Sequence, residues 1–274
     1  MAEERPYVSS SQLALFERCG EAYRRRYIER EKIPPGVAAI RGRAVHGAAE
    51  VNHRQKLTSG IDLPLHDLVD AAATAFESAR AADGVMLTPE EQSHGASRVL
   101  GHAKDRAVKL TGLYADRVAP SIQPAFVEER VRIMLPDAPV DLLGVLDVAT
   151  TDRRVKDLKT AAKAKTQGEA DKSLQLSLYA LAYRAHTGTD AAGLDMEVLV
   201  DTTVPKHQQL STTRGRPDYL VLVARLNTFL RAREAGIFPP APLGDWACSE
   251  RWCGFARTCP YYTPERRAAA ARAA

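Results

Sequence analysis

Residues 142–160 read Leu142-Leu143-Gly144-Val145-Leu146-Asp147-Val148-Ala149-Thr150-Thr151-Asp152-Arg153-Arg154-Val155-Lys156-Asp157-Leu158-Lys159-Thr160. Two strand-forming runs, Leu142–Ala149 and Arg154–Lys159, flank the short polar turn Thr150–Arg153, which is the pattern of a β-hairpin. Side chains two apart on a strand share a face, so Asp157 and Lys159 point the same way. Asp147, on the neighbouring strand, can be brought alongside them. Two carboxylates together bind a hard divalent cation, Mg2+ or Mn2+, through oxygen. Such an ion polarises a phosphoryl oxygen and lowers the pKa of a bound water. Lys159 can then orient that water or offset charge on the phosphorane. The hairpin thus carries the residue types that phosphodiester hydrolysis requires.

Working outward, Phe126–Leu135 alternates, with Val127, Val131, Ile133 and Leu135 against Glu128, Arg130 and Arg132, and predicts a half-buried strand before the hairpin. Upstream the period becomes helical. Ser9–Ser11 offer caps for a helix bearing Leu13, Phe16, Gly20, Tyr23 and Tyr27, with Cys19 beside that face. Pro34-Pro35-Gly36 breaks the chain, and helices are expected over about 38–57, 65–82 and 90–118, the last opened by the cap Thr88-Pro89-Glu90-Glu91. Downstream the pattern predicts a helix over 171–187, an apolar strand over 194–200 and a helix over 217–235, with Lys206, Arg214 and Arg216 in a polar loop between the last two. The Arg/Ala-rich tail 264–274 reads as a short helix. The layout is an α/β core, with a mostly antiparallel sheet and a helical N-terminal insertion.

The chain has 274 residues, 45% of them hydrophobic and 26% charged, a globular composition that excludes collagen-like, disordered and coiled-coil classes. The net charge of +4 suits a nucleic-acid partner better than an acidic total would. No apolar run is long enough to span a membrane, and the N-terminus lacks the apolar stretch of a secretory signal, so an intracellular, cytoplasmic protein is expected. In a reducing compartment its four cysteines, Cys19 alone and Cys248, Cys253 and Cys259 together, point to a metal rather than disulfides. Four thiolates suit zinc or a four-iron cluster equally on chemistry alone.

The hairpin resembles motifs II and III of the RecB-like nucleases in the PD-(D/E)XK superfamily: Gly144–Asp147, then Asp157-Leu158-Lys159-Thr160. Gln175-Leu176-Ser177-Leu178-Tyr179 resembles their Gln-x-x-x-Tyr helix, and Gly42-Arg43-Ala44-Val45-His46 their Gly-x-x-x-His motif. The resemblance implies a restriction-endonuclease-like core, a mixed central sheet flanked by helices. It also implies that His46, Asp147, Asp157 and the Leu158 carbonyl hold metal, that Lys159 is the catalytic lysine, and that Gln175 and Tyr179 support the site or contact DNA. The acid of the third motif is Asp157, where many relatives carry Glu.

The one-plus-three cysteine arrangement is similar to the iron–sulfur staple of AddB and of the CRISPR-associated RecB-like exonucleases. That likeness implies a [4Fe-4S] cluster on Cys19, Cys248, Cys253 and Cys259, with zinc as the alternative. The first gap, of four residues between Cys248 and Cys253, is two longer than the common family spacing. One nuclease domain over 1–274 is expected: a helical part over about 9–118, a nuclease core over about 125–235, and a cysteine segment over about 240–262 joined to Cys19.

Phosphates attract Lys and Arg, and Arg41, Arg43, Lys163 and Lys165 are the candidates for a DNA track, with Arg24–Arg26 and Arg30 nearby. The family likeness implies single-stranded DNA, or DNA with a free end, digested from 5′ to 3′ in recombination, replication or DNA-end processing. It also allows a homo-oligomer or recombination and CRISPR protein partners. The alternative is a DNA-binding or processing subunit of a helicase–nuclease or CRISPR adaptation complex. No phosphate-cradling loop of the Gly-x-x-x-x-Gly-Lys-Ser/Thr type is present, which excludes a motor within these residues.

Overall fold

The computed structural model describes residues 5–135, 138–265 and 268; most of the tail expected to be helical lies outside them. A three-residue strand β1 (Tyr7–Ser9) leads into α1 (Ser10–Arg18), capped by Ser9, whose hydroxyl accepts from the Gln12 N–H. The single helix expected through Tyr27 is broken at Cys19, which is extended at φ −160° and whose Sγ accepts from the Ala22 N–H. The short α2 (Gly20–Tyr23) and a π-turn over Arg24–Ile28 follow. The cause lies far away in sequence. The Gly20 N–H donates to the Pro239 carbonyl at 2.7 Å, and a Cβ on Gly20 would sit 2.7 Å from the Phe238 backbone. A distant segment wedges into the break, and no local periodicity could report it.

The insertion is three long helices: α3 (Val37–Ser59), α4 (Leu65–Asp83) and, after the one-turn α5 (Pro89–Ser93), α6 (Ala96–Arg117). The predicted capping box at Thr88 and Glu91 forms, but the expected 90–118 helix is split at Gly95, whose φ of +84° favours glycine. The core then runs β2 (Pro124–Met134), β3 (Asp141–Thr150), β4 (Arg154–Ala161), α7 (Gln167–Asp171), α8 (Leu174–Thr187), β5 (Gly193–Val200), β6 (Lys206–Thr212) and α9 (Arg216–Glu234). The helix read over 171–187 starts at its own cap, Ser173, which accepts from the Leu176 N–H.

The sheet is mixed, in the order β1-β3-β4-β5-β6, with β2 on the free edge of β3. It is less antiparallel than expected: β1 on β3 and β4 on β5 are parallel pairs. The β4–β5 pair is parallel because α7 and α8 carry the chain across the sheet between them. The stretch around Lys206, read as a polar loop, is β6, antiparallel on β5. Leu210 is its one buried residue, so as an edge strand it shows little apolar signal. The next strand inward, β5, is buried along its whole length.

Helices cover both faces. Ile40, Ala44, Phe76, Leu110 and Tyr114 from α3, α4 and α6 pack on Val127, Val148 and Leu158, while Leu176, Tyr179 and Tyr183 of α8 pack on Leu146, Val155 and Val198. Glycines set both approaches. A Cβ on Gly144 would lie 2.9 Å from the Ala182 Cβ of α8, and one on Gly42 would lie 3.1 Å from Thr160 Oγ1 of β4. Two of the motif glycines therefore mark where a helix must come close to the site strands. Gly144→Ala is expected to lower stability by about 1–3 kcal/mol through overpacking; an unchanged midpoint in urea unfolding would contradict this packing.

Candidate active site

Between the pairing of β1 with Asp141–Leu143 and that of β4 with Val148 and Ala149, residues 144–147 of β3 lack a partner strand on that edge. The β3–β4 ladder stops after Val148↔Lys156, and the strands part there. Asp147 and Asp157 are the next residues on each strand, so both carboxylates sit at the mouth of the fork. The bond that the ladder would have made is replaced: the Leu158 N–H donates to Asp147 Oδ2 at 3.1 Å. Tyr179 donates to Asp147 Oδ1 at 3.3 Å and accepts from Gln175 Nε2 at 2.7 Å, a relay between residues one helical turn apart. From the opposite face, α3 brings His46 Nδ1 to 3.6 Å from Asp147 Oδ2.

Asp157 is fully buried. Its Oδ1 accepts from Lys159 Nζ at 2.6 Å, and its Oδ2 has no hydrogen-bond partner. Burial pushes its carboxyl up to about 6, and the Asp147 charge adds to this against the pull of Lys159. Burial likewise raises Asp147 above the ordinary carboxylate range, opposed by Lys159, the Leu158 N–H and Tyr179. His46 is lowered by burial and by Lys159, which favours the neutral imidazole that can lend a lone pair. The fork therefore confines two carboxylates that are costly as anions, one with an orphaned oxygen. A divalent cation would relieve both strains.

Among the described residues, no three histidine, cysteine, aspartate or glutamate side chains converge tightly enough to hold an ion as they stand. A Mg2+ site of one or two carboxylates completed by water and substrate phosphate needs no such cage, so the donor set fits that ion. Glu128, noted in the sequence merely as the polar side of a strand, is a further carboxylate here. It lies opposite Asp147, between the pairs Val127↔Val148 and Glu129↔Leu146, at φ +50°. It lines a small cavity with His46, Glu50 and Asp147, and burial, then the Asp147 charge, raises its carboxyl to about 7. An acid in the left-handed region inside an otherwise alternating strand has no sequence signature.

β4 is held beneath the fork by buried charge. Lys156 Nζ reaches Glu197 Oε1 at 2.7 Å and Asp195 Oδ2 at 3.1 Å, and Glu197 Oε2 meets His207 Nε2 at 2.6 Å. The pairing ties β4, β5 and β6 together across the sheet.

The four candidate track residues are dispersed. Arg41 is 2.8 Å from Asp201, a carboxylate also held by Arg106, and is mostly buried. Arg43 pairs with Asp83 at the surface. Lys163 is exposed after β4, while Lys165 pairs with Glu169 at 2.7 Å beside an open depression that also includes Lys159, Lys172 and Gln175. All four cysteines line one cavity of about 810 Å3 between the N-terminal helices and the C-terminal segment. The Cys253 thiol is pushed up by burial and, further, by the other three thiols. Around them Arg25 forms a clasp: it pairs with Glu31 at 2.8 Å, donates to Thr258 Oγ1 at 2.7 Å and lies 5.0 Å from the centre of the Phe255 ring.

The profile of the PD-(D/E)XK nuclease superfamily matches residues 7–260. Among solved structures, a candidate exonuclease from Eubacterium rectale is similar over 86% of this chain and 84% of its own, at 11% identity and a TM-score of 0.60, a likeness of fold. The chain described as SSO0001 covers 96% of this chain and 90% of its own, at 12% identity and a TM-score of 0.47. No curated protein matches the chain.

The raised carboxyl of Asp157 fixes a sign. Between an ordinary carboxylate pKa of about 4 and about 6, the folded state keeps a proton that the unfolded chain has lost. The contribution of Asp157 to the stability of the metal-free protein therefore falls as pH rises through that window, opposed there by His53, whose pKa burial lowers to about 4. Added Mg2+ should restore the loss at neutral pH, and the stability difference between the wild type and Asp157→Asn should shift in favour of the variant as pH rises from about 4 to about 6. Thermal melts from pH 4 to 8 check this; a melting temperature indifferent to Mg2+ at neutral pH would count against the site.

Proposed function

Because this chain belongs to the PD-(D/E)XK nuclease superfamily, we propose that it is a metal-dependent DNA exonuclease whose centre is the fork between β3 and β4. The observation that carries the reading is the convergence there of Asp147, Asp157 and Lys159, with one carboxylate oxygen left without a partner. Asp147, Asp157, the Leu158 carbonyl and His46 would hold Mg2+ or Mn2+, with Glu128 alongside. When bound, the ion supplies positive charge at the scissile phosphoryl group and acidifies water.

The chain's own groups do the rest. The attacking water forms a P–O bond as the bond to the leaving oxygen breaks. Lys159 is 30% exposed and anchored on Asp157, so its ammonium reaches solvent where the phosphate would lie and offsets the charge gathered there. Tyr179 and Gln175 fix the Asp147 carboxylate in one orientation, and the Leu158 N–H holds its other oxygen. Preference for single-stranded DNA, 5′ to 3′ direction and a role in recombination, replication or end processing rest on the motif likeness. The complete Asp/Asp/Lys set favours an enzyme over a binding subunit.

For the thiols we propose a [4Fe-4S] cluster with a structural role. The four thiols line one cavity, and the choice of a cluster over zinc rests on the likeness of the one-plus-three cysteine arrangement. With the Arg25 clasp it would tie Cys19 to the segment 248–259, so that the chain works as one nuclease unit.

End-labelled single-stranded oligonucleotides, with a circular single strand as control, test the activity. Hydrolysis should require Mg2+ or Mn2+, spare the circle, and fall at least about a hundredfold in Lys159→Ala or Asp157→Ala. Full activity in either variant would remove the assignment. Anaerobic purification should yield a brown protein with about four irons per chain; a colourless protein with one zinc would overturn the cluster.

A further inference from the structure

We infer that Arg214, in the turn between β6 and α9, is a positioning residue for the nuclease centre: it fixes the start of α8 and thereby the aim of Gln175 and Tyr179 on Asp147. Its service to phosphodiester cleavage rests on the nuclease reading; the clasp itself rests on hydrogen bonds. An arginine in a polar loop reads as a residue for phosphate, yet this one has no donor to spare. Every N–H of its guanidinium finds an acceptor within the chain. Nε donates to Ser177 Oγ at 2.9 Å, and Nη1 to Thr212 Oγ1 at 2.8 Å and the Thr213 carbonyl at 2.9 Å. Nη2 donates to the carbonyls of Ala170 at 2.6 Å and Ser173 at 3.3 Å.

The clasp joins three elements. Ala170 lies at the end of α7, Ser173 is the N-cap of α8, and Ser177 is on the first turn of that helix. Ser177 in turn donates to the Ser173 carbonyl at 3.2 Å, and Thr212 Oγ1 donates to Asp171 Oδ1 at 2.9 Å. Gln175 and Ser177 are two residues apart, so they point to different sides of the helix. Arg214 therefore grips one side of the α8 start and leaves Gln175 and Tyr179 facing Asp147. The gripped turn also borders the catalytic lysine, because Lys159, Ser173 and Gln175 line one open depression.

The need for such a clasp follows from the fork. β3 and β4 have parted there, so no further ladder pair sets Asp147 against Asp157. Across the gap Asp147 meets β4 through the Leu158 N–H, a bond that holds only while the carboxylate keeps its orientation. A second route joins the two strands: β4 pairs with β5, β5 with β6, and Arg214 carries the connection to α8, Tyr179 and Asp147.

Steady-state cleavage of a single-stranded oligonucleotide by the full-length protein tests this with Arg214→Lys, which keeps the charge and loses the planar fork. kcat should fall about tenfold while KM stays within about twofold, as for a group that acts on the reacting geometry and not on binding. In a Tyr179→Phe background the same change should cost less than about twofold, because the relay it serves is already cut. Independently of activity, amide hydrogen exchange at Leu158 should quicken at least about tenfold in Arg214→Lys. Melting temperatures are measured for each variant; if Arg214→Lys does not fold, Ser177→Ala, which removes only the Nε acceptor, carries both readouts. A folded variant with unchanged kcat or unchanged Leu158 exchange would overturn the proposal, as would a loss that adds in full to that of Tyr179→Phe. A raised KM with a weaker salt dependence would instead mark a phosphate contact and overturn it too. If the wild type leaves DNA intact, quickened exchange at Leu158 keeps the clasp and the nuclease reading falls alone.

Discussion

The structure depends on the parting of β3 and β4. Two strands joined by a tight hairpin would normally stay paired along their length, with each backbone group bonded across the ladder. Here the ladder ends after two residue pairs, and the space it leaves is filled by carboxylates. Asp147 takes the Leu158 N–H that the ladder has released, and Asp157 lies buried with one oxygen unsatisfied. A buried carboxylate lacking a full set of partners destabilises the fold. The surroundings make that tolerable: Lys159 on one oxygen of Asp157, Tyr179 and Gln175 behind Asp147, and the Lys156–Glu197–His207 chain locking β4 to its neighbours. Strain held in place by a rigid sheet is an arrangement that supports the cation site proposed there.

Both helical layers serve this fork. α3 delivers His46 from one face and α8 delivers Tyr179 from the other, and each approaches through a glycine that removes the obstructing methyl group. The motif residues are thus of two physical kinds. Some meet the charge at the site, and the glycines let the elements bearing them come close enough. Gly42 and Gly144 set how closely α3 and α8 approach: a Cβ at Gly144 would force a shift against Ala182, and one at Gly42 would require Thr160 to give way slightly.

The ends of the chain form a second organising feature. The segment after α9 folds back onto the break at Cys19, where Pro239 receives the Gly20 N–H and Arg25 grips Thr258. This closure brings the isolated cysteine to the other three.

Much of this was legible beforehand. The hairpin, β5, and the helices α3, α4, α8 and α9 follow from periodicity, caps and turn residues, because those signals are local and the elements are amphipathic or wholly apolar. Asp157 and Lys159 share a face by the strand's period of two alone. What stayed hidden was set by partners distant in sequence. β1 and β6 exist because a sheet edge was available to them, Cys19 interrupts its helix because Pro239 arrives there, and Glu128 turns inward through a backbone conformation that an alternating pattern does not announce. Arg41 and Arg43 looked free for phosphate, yet each lies against a carboxylate contributed by another element. Sequence by itself determined which residues could do chemistry; tertiary structure decided which of them meet, because the strands must separate before two carboxylates can share one space, and that separation is imposed by the whole sheet and the helices packed on it.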